Sequence, residues 1–225
     1  MSNPDSQMNQ DNPQALSEAE VQRACELLSG ADQVALAHLE GRFVFVGRAY
    51  DPGAARRINE LKRRSAGRPL VMCFPDLKLV ERAQVYSPLL SLLPHFKERV
   101  TVSVPAPPNL PSAAHSGVGM IGVRRLDLEP LNSVMRLLDE PLLISSANPT
   151  GRPAARHLED LEAYGITELP MIGSLPDPHQ PSVLRRATVV GLVHSALQVL
   201  SPGDTSLSEI KREWERLQLS GELLG

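Results

Sequence analysis

Apolar positions are sparse over the first fifteen residues, which are mostly Asn, Gln, Asp, Ser and Pro and predict a disordered tail over residues 1–15. The pattern changes at Ser17. Ser17, Glu18, Ala19 and Glu20 spell a capping box, and Val21, Ala24, Cys25 and Leu28 then recur at helical spacing until Gly30 ends the run. Two short β-prone runs follow, Gln33 to Leu39 and Arg42 to Gly47, with Glu40-Gly41 between them as a hairpin turn or strand break. Asp51-Pro52-Gly53 opens a second helix whose Ala55, Ile58 and Leu61 face inward. Its end is expected near Ser65 to Gly67, which places Lys62 and Arg64 in the last turn.

Pro69 to Phe74 reads as a buried strand, with Asp76 able to cap a short helix after it. Ser87 to Phe96 reads as a helix with Pro88 in its first turn, Val100 to Val104 as a strand, and Pro105 to Pro111 as a loop. Ser116 to Val123 predicts a glycine-interrupted strand that delivers Arg124. A helix over Pro130 to Leu138 and a strand over Leu142 to Ser145 follow, and then the turn Ser145-Ser146-Ala147-Asn148-Pro149-Thr150-Gly151. The remainder predicts a short helix near Leu158 to Tyr164, a strand at Met171-Ile172, strand-like runs at Val183 to Val189 and Gly191 to Val193, and a helix from about Thr205. Strands and helices mix without a strict alternation. The expected fold is α/β (α+β), a twisted mixed parallel and antiparallel sheet flanked by helices.

At 225 residues and 42% hydrophobic, the chain can bury one sizeable core. One domain over residues 16–205 is expected, with residues 206–225 as a C-terminal helix. No apolar run reaches the roughly 18 residues of a membrane span, and the N-terminus lacks a signal-peptide plan, so a cytoplasmic protein with no membrane segment is expected. Cys25 and Cys73 lie in apolar patterns with no partner at metal-ligand spacing and read as buried thiols. The net charge is -3, yet Arg56, Arg57, Lys62, Arg63, Arg64 and Arg68 crowd one short stretch. Positive charge is local, which excludes a generally nucleic-acid-coating surface.

That stretch and the Ser-Ser-Ala-Asn turn are the candidate chemistry. Lysine offers a compact point charge and arginine a planar fork, a combination able to neutralise a polyphosphate; a solvated helix end is the plainer alternative. Ser145, Ser146 and Asn148 stand where a strand meets a turn. There they can bond a ligand or satisfy the local backbone. Thr101 and Arg124 could add a hydroxyl and a guanidinium from strands. The six histidines are scattered, and neither common glycine-rich phosphate loop occurs. A nucleotide would therefore rest on side-chain cations and strand-end hydroxyls.

The order of these motifs resembles the YrdC family, the L-threonylcarbamoyladenylate synthases that feed N6-threonylcarbamoyladenosine formation in tRNA. The resemblance covers roughly residues 20–205. It rests on Lys62-Arg63-Arg64 with Arg68-Pro69-Leu70, on Thr101 in a strand ending at Pro105-Ala106, and on Val123-Arg124. The turn Ser145 to Gly151 and the late Pro181-Ser182 complete it. It implies a YrdC-like domain around a concave basic cleft. ATP, bicarbonate and L-threonine would be its substrates, Mg²⁺ a helper and no protein metal site a feature. Lys62 and Arg64 would act on the triphosphate or carboxylate, and Arg68, Thr101, Ser146 and Asn148 would complete the ATP side. Arg124, Ser145 and Ser182 would lie towards the amino acid. tRNA or double-stranded RNA and proteins of a tRNA-modifying complex are the implied larger partners.

The chain departs from the family at three places. The threonine-side stretch falls at Gly41 to Gly47, where Gly47 alone matches. Lys97-Glu98-Arg99 replaces a Pro-Gly-Pro turn, and Ser201 stands where the family has a late arginine. Losing one charged phosphate contact costs on the order of 1.5–3 kcal/mol. The leading functions are a synthase, or a close variant with another amino acid, and a catalytically degenerate homologue that binds nucleotide or RNA. A structural or regulatory partner of a tRNA-modifying complex and a different ligase-like or transfer reaction stay open.

Overall fold

The computed structural model describes residues 17–65, 67–173, 175 and 184–223; the expected tail over 1–15 lies outside these residues. Helix α1 (Glu18–Ser29) begins as its capping box dictates, with Glu20 N donating to Ser17 Oγ at 3.4 Å and Ser17 N donating to Glu20 Oε2 at 2.8 Å. Strands β1 (Ala35–Leu39) and β2 (Arg42–Arg48) form the expected hairpin. Its turn residues Glu40 and Gly41 are both left-handed, at φ 52° and 78°, the conformation a tight two-residue hairpin demands.

Asp51 caps α2 (Pro52–Leu61) by accepting from Gly53 N at 2.8 Å. The helix stops at Leu61, short of the expected Ser65 to Gly67. Arg63 takes a left-handed φ of 50°, and the Arg63 and Arg64 amides turn back to the carbonyls of Glu60 and Asn59 at 2.8 and 3.1 Å. Lys62 is thus the cap and Arg64 lies beyond the helix.

After β3 (Val71–Phe74), Asp76 caps α3 (Leu77–Arg82) as expected. The segment read as one helix from Ser87 splits into a 3₁₀ turn at Pro88–Leu92 and a single α-turn, α4 (Leu93–Phe96). Strands β4 (Val100–Pro105) and β5 (Met120–Arg125) follow. The early part of the expected β5 is a turn instead, closed by Gly119 N donating to Ser116 O at 2.8 Å with Gly119 at φ 73°. Next come α5 (Leu131–Leu138), β6 (Leu142–Ser146), α6 (Leu158–Ala163) and β7 (Met171–Ile172). Near the end, one strand β8 (Thr188–Val193) replaces the two runs expected there, and β9 (Ala196–Ser201) had no sequence expectation. Gly191 does not break β8 because Leu200 of β9 packs where its Cβ would stand, 2.8 Å from Leu200 Cδ1. Helix α7 (Leu207–Ser220) closes the described chain.

Among the described residues the nine strands form one mixed sheet in the order β7-β1-β2-β6-β3-β5-β4-β8-β9. Strand alternation gives this sheet two unlike faces. One carries Phe45, Leu143, Met72, Val123, Val102, Val104 and Ile121, all fully buried. Helix α2 packs on that face at Gly47, where an added Cβ would lie 2.9 Å from Ala54 Cβ. The other face carries half-buried Val71, Ser103, Arg124 and Ser146. The same face also carries fully buried Val46, Cys73 and Leu142, so these polar side chains stand among apolar ones. Both cysteines are buried and free, and no described helix is long and apolar enough to cross a membrane.

Candidate functional site, an uncompensated cationic pocket

The end of α2 meets the turn after β6. The Arg63 kink aims Lys62 inward, where its Nζ reaches Ser146 O at 2.7 Å, Ser146 Oγ at 3.4 Å, Asn148 O at 3.2 Å and Asn148 Oδ1 at 3.2 Å. Ser146 Oγ donates to Asn148 Oδ1 at 2.6 Å. The Asn148 amide in turn donates to Pro149 O and Arg152 O at 3.0 and 2.7 Å, which holds the turn shut. Thr150 N donates to Lys62 O at 2.8 Å, so backbone and side chain of Lys62 both grip this turn.

Every partner of Lys62 is neutral. A cation only 5% exposed and without a carboxylate among the described residues is costly, and burial, followed by the nearby Arg64, lowers Lys62 to about 8. Arg64 lies in the same situation. Its Nε donates to Asn59 Oδ1 at 2.8 Å and its Nη2 to Arg68 O at 3.1 Å, and burial, then Arg68, lowers its pKa. Arg68 is exposed beside it. Lys62, Arg64 and Arg68 form a patch whose side-chain bonds among the described residues all go to neutral oxygens, the electrostatic setting an anion would relieve.

The second cluster has the opposite character. Glu40, in the β1–β2 turn, forms an ion pair with Arg124 of β5 and accepts from Arg42 Nη2 at 3.3 Å, while its carbonyl accepts from Arg185 N at 3.3 Å. Thr101 shares the Arg124 face, its Cγ2 lying 3.1 Å from where a Gly122 Cβ would stand, but it is only 3% exposed. Ser145 pairs with Phe45 on the α2 side of the sheet, so its side chain and that of Ser146 leave opposite faces. Ser182 lies outside the described residues. The structure thus brings Lys62, Arg64, Arg68, Ser146 and Asn148 together, sets Arg124 and Thr101 on the same face as Ser146, and turns Ser145 away.

Residues 30–203 match the family model that covers Sua5, YciO and YrdC proteins, described as telomere recombination. The chain belongs to the Sua5/YciO/YrdC family. No curated protein matches it. Sua5 from P. abyssi, in a crystal structure complexed with L-threonine, superposes at a TM-score of 0.73 with 22% identity, covering 88% of this chain and 58% of that one. E. coli YciO superposes at 0.70 with 15% identity, covering 88% and 96%. HypF in a phosphate- and nucleotide-bound form superposes at 0.65 with 18% identity, covering 80% of this chain and 28% of that one. The chain spans only 58–60% of the length of the Sua5 chains it matches.

Within this Sua5/YciO/YrdC fold, sequence reasoning missed Glu40, Arg42, Asn59 and Arg186. Glu40 left a trace, since a hairpin turn with two left-handed residues ordinarily selects Asn, Asp or Gly. Arg186 left none. Its Nη2 reaches Ser201 Oγ at 3.5 Å, so a guanidinium comes by tertiary contact to the strand end where Ser201 replaces the expected arginine.

Proposed function

We propose that this chain binds ATP on the Lys62 side of the concave face and uses it in an L-threonylcarbamoyladenylate synthase-like reaction towards tRNA N6-threonylcarbamoyladenosine. The observation that carries this reading is Lys62 itself, a buried cation with neutral partners only, backed by Arg64 and Arg68 with no ion pair to a carboxylate among the described residues. In that reaction L-threonine and bicarbonate give a carbamate whose carboxylate oxygen attacks the α-phosphorus of ATP. The new P–O bond forms as the bond to the β-phosphate oxygen breaks, and pyrophosphate leaves with the electron pair. Lys62, Arg64 and Arg68 neutralise the polyphosphate, Ser146 and Thr101 face the nucleotide, and Asn148 keeps the turn in place. The protein's contribution is alignment and charge neutralisation. Among the described residues no group of three or more His, Cys, Asp or Glu side chains could hold a metal ion.

A second reading draws support from Glu40. Its carboxylate already holds Arg124, the residue the family resemblance assigns to the amino-acid side. A homologue with that half closed would bind nucleotide, or the phosphates of tRNA or double-stranded RNA, without catalysis. Calorimetric titration with ATP, then with L-threonine and bicarbonate while pyrophosphate is assayed, separates the two. ATP binding that falls at least tenfold in Lys62→Ala supports both; pyrophosphate release selects the synthase, and no ATP binding removes both as nucleotide proteins. A third arm, titration with double-stranded RNA at rising salt, detects phosphate-driven association.

A further inference from the structure

Glu40 and Arg124 are each about nine-tenths buried as side chains, at 8% and 11% exposure, and Arg42 at 18% shares the same carboxylate. One anion thus serves two guanidinia. Both Arg124 and Arg186 stand close enough to act on the charge of Arg42, so positive charge exceeds negative here. Among the described residues the buried Arg124 Nε has no hydrogen-bond partner, which leaves a donor of its planar fork unused there. By strand register Arg124 lies on the same face as Ser146 of the Lys62 pocket. The group that answers the fork is carried by a turn, not by a strand or helix, and turns are the elements a sheet releases most easily.

We infer that Arg124 with Arg42 is a carboxylate-binding site and that Glu40 is its resident occupant, so that a ligand carboxylate of amino-acid size binds this end of the face only by displacing the Glu40 carboxylate. The chemical class follows from the stand-in. The group now seated there is a carboxylate, matched by two planar forks that favour such a partner. The Glu40 side chain can surrender the site without rebuilding strands, because its carboxylate is held by the two ion pairs while the Leu39–Arg42 strand pair closes the turn behind it. The inference deepens the reading given above by naming what gates its amino-acid end, and it rests on that reading only in treating this face as the substrate face.

Glu40→Gly tests it, because glycine keeps the left-handed φ of 52° while removing the carboxylate. Acetate and L-threonine are titrated into the wild-type chain and the variant, and thermal unfolding is followed in sodium acetate against sodium chloride at equal ionic strength. The variant is expected to bind both carboxylates at least tenfold more tightly than wild type and to gain melting temperature in acetate alone. Equal binding by the two proteins, or equal stabilisation by chloride, overturns the inference. Should the variant fail to fold in chloride, recovery of the folded state in acetate supports it and failure in both salts overturns it. Adding Arg124→Met to Glu40→Gly should abolish the gain, and a gain that persists counts against the site. ATP titration of the wild-type chain, run in parallel, keeps failure of the nucleotide reading distinct from failure of this one.

Discussion

Glu40 and Arg124 form an ion pair although β6 and β3 lie between β2 and β5 in the sheet, so the contact spans two intervening strands instead of joining neighbours. Removing Arg124 alone strands a carboxylate that is 8% exposed. Arg124→Met should cost about 3 kcal/mol in urea unfolding, somewhat softened by Arg42, and Glu40→Met in the same chain should recover most of it. A loss below about 0.5 kcal/mol would show that the pair is solvated in solution.

Lys62 gives a pH signature of definite sign. It titrates near 8 in the folded chain against an ordinary 10.5, lowered chiefly by burial. Between these two values the unfolded chain holds the extra proton, so stability rises with pH from about 8 to 10.5; below 8 both states are charged and the cost of burying the cation is borne in full. The whole shift corresponds to about 3 kcal/mol. Denaturation of wild type and Lys62→Met at pH 7.5 and 10, as the difference between the two proteins, isolates the effect; Lys62→Met should lack the rise. ATP affinity should fall across the same window as Lys62 loses its charge.

Asn148 joins four contacts in one turn. Asn148→Ala removes one of the four oxygens around Lys62, leaves Ser146 Oγ without its acceptor and Arg152 O without a donor, and should cost about 2–3 kcal/mol with a matching fall in melting temperature. Asn148→Asp should instead place a counter-charge beside Lys62 and weaken ATP binding at least tenfold while the fold survives.

Gly47 links packing to the pocket. A methyl group there would stand 2.9 Å from Ala54 Cβ and 3.3 Å from Gln33 O. Gly47→Ala should destabilise by about 1–3 kcal/mol and shift α2, whose last residue precedes Lys62. An ATP affinity that stays at the wild-type value would show that the pocket tolerates movement of α2.

Much of the fold was legible because local rules and tertiary packing agree. The capping box at Ser17, the Asp51 and Asp76 caps and the Glu40-Gly41 break all name their elements directly. The end of α2 was not legible, because a left-handed arginine at 63 carries no sequence mark and the following Gly67 was the stronger stop signal. Strand β9 escaped because its alternation, with Gln198 exposed and Leu197 buried, is short and weak. Within the site, the cationic run and the Ser-Ala-Asn turn were visible as separate motifs. That Lys62 bonds the turn directly was not, since sequence separation says nothing about which side chains meet. Arg186 acts through a tertiary contact and carries no motif at all, and Glu40 showed only as a turn residue, not as the partner of Arg124.

The grip of Lys62 on Ser146 joins positions 84 residues apart. A pocket made from such a seam does not exist in the unfolded chain, and it closes only after the intervening strands have paired. Whatever anion settles there acts as a latch on the entire molecule. At a concentration one hundred times its Kd it adds about 2.7 kcal/mol to the native state, so the supply of that anion becomes a determinant of how long the fold survives.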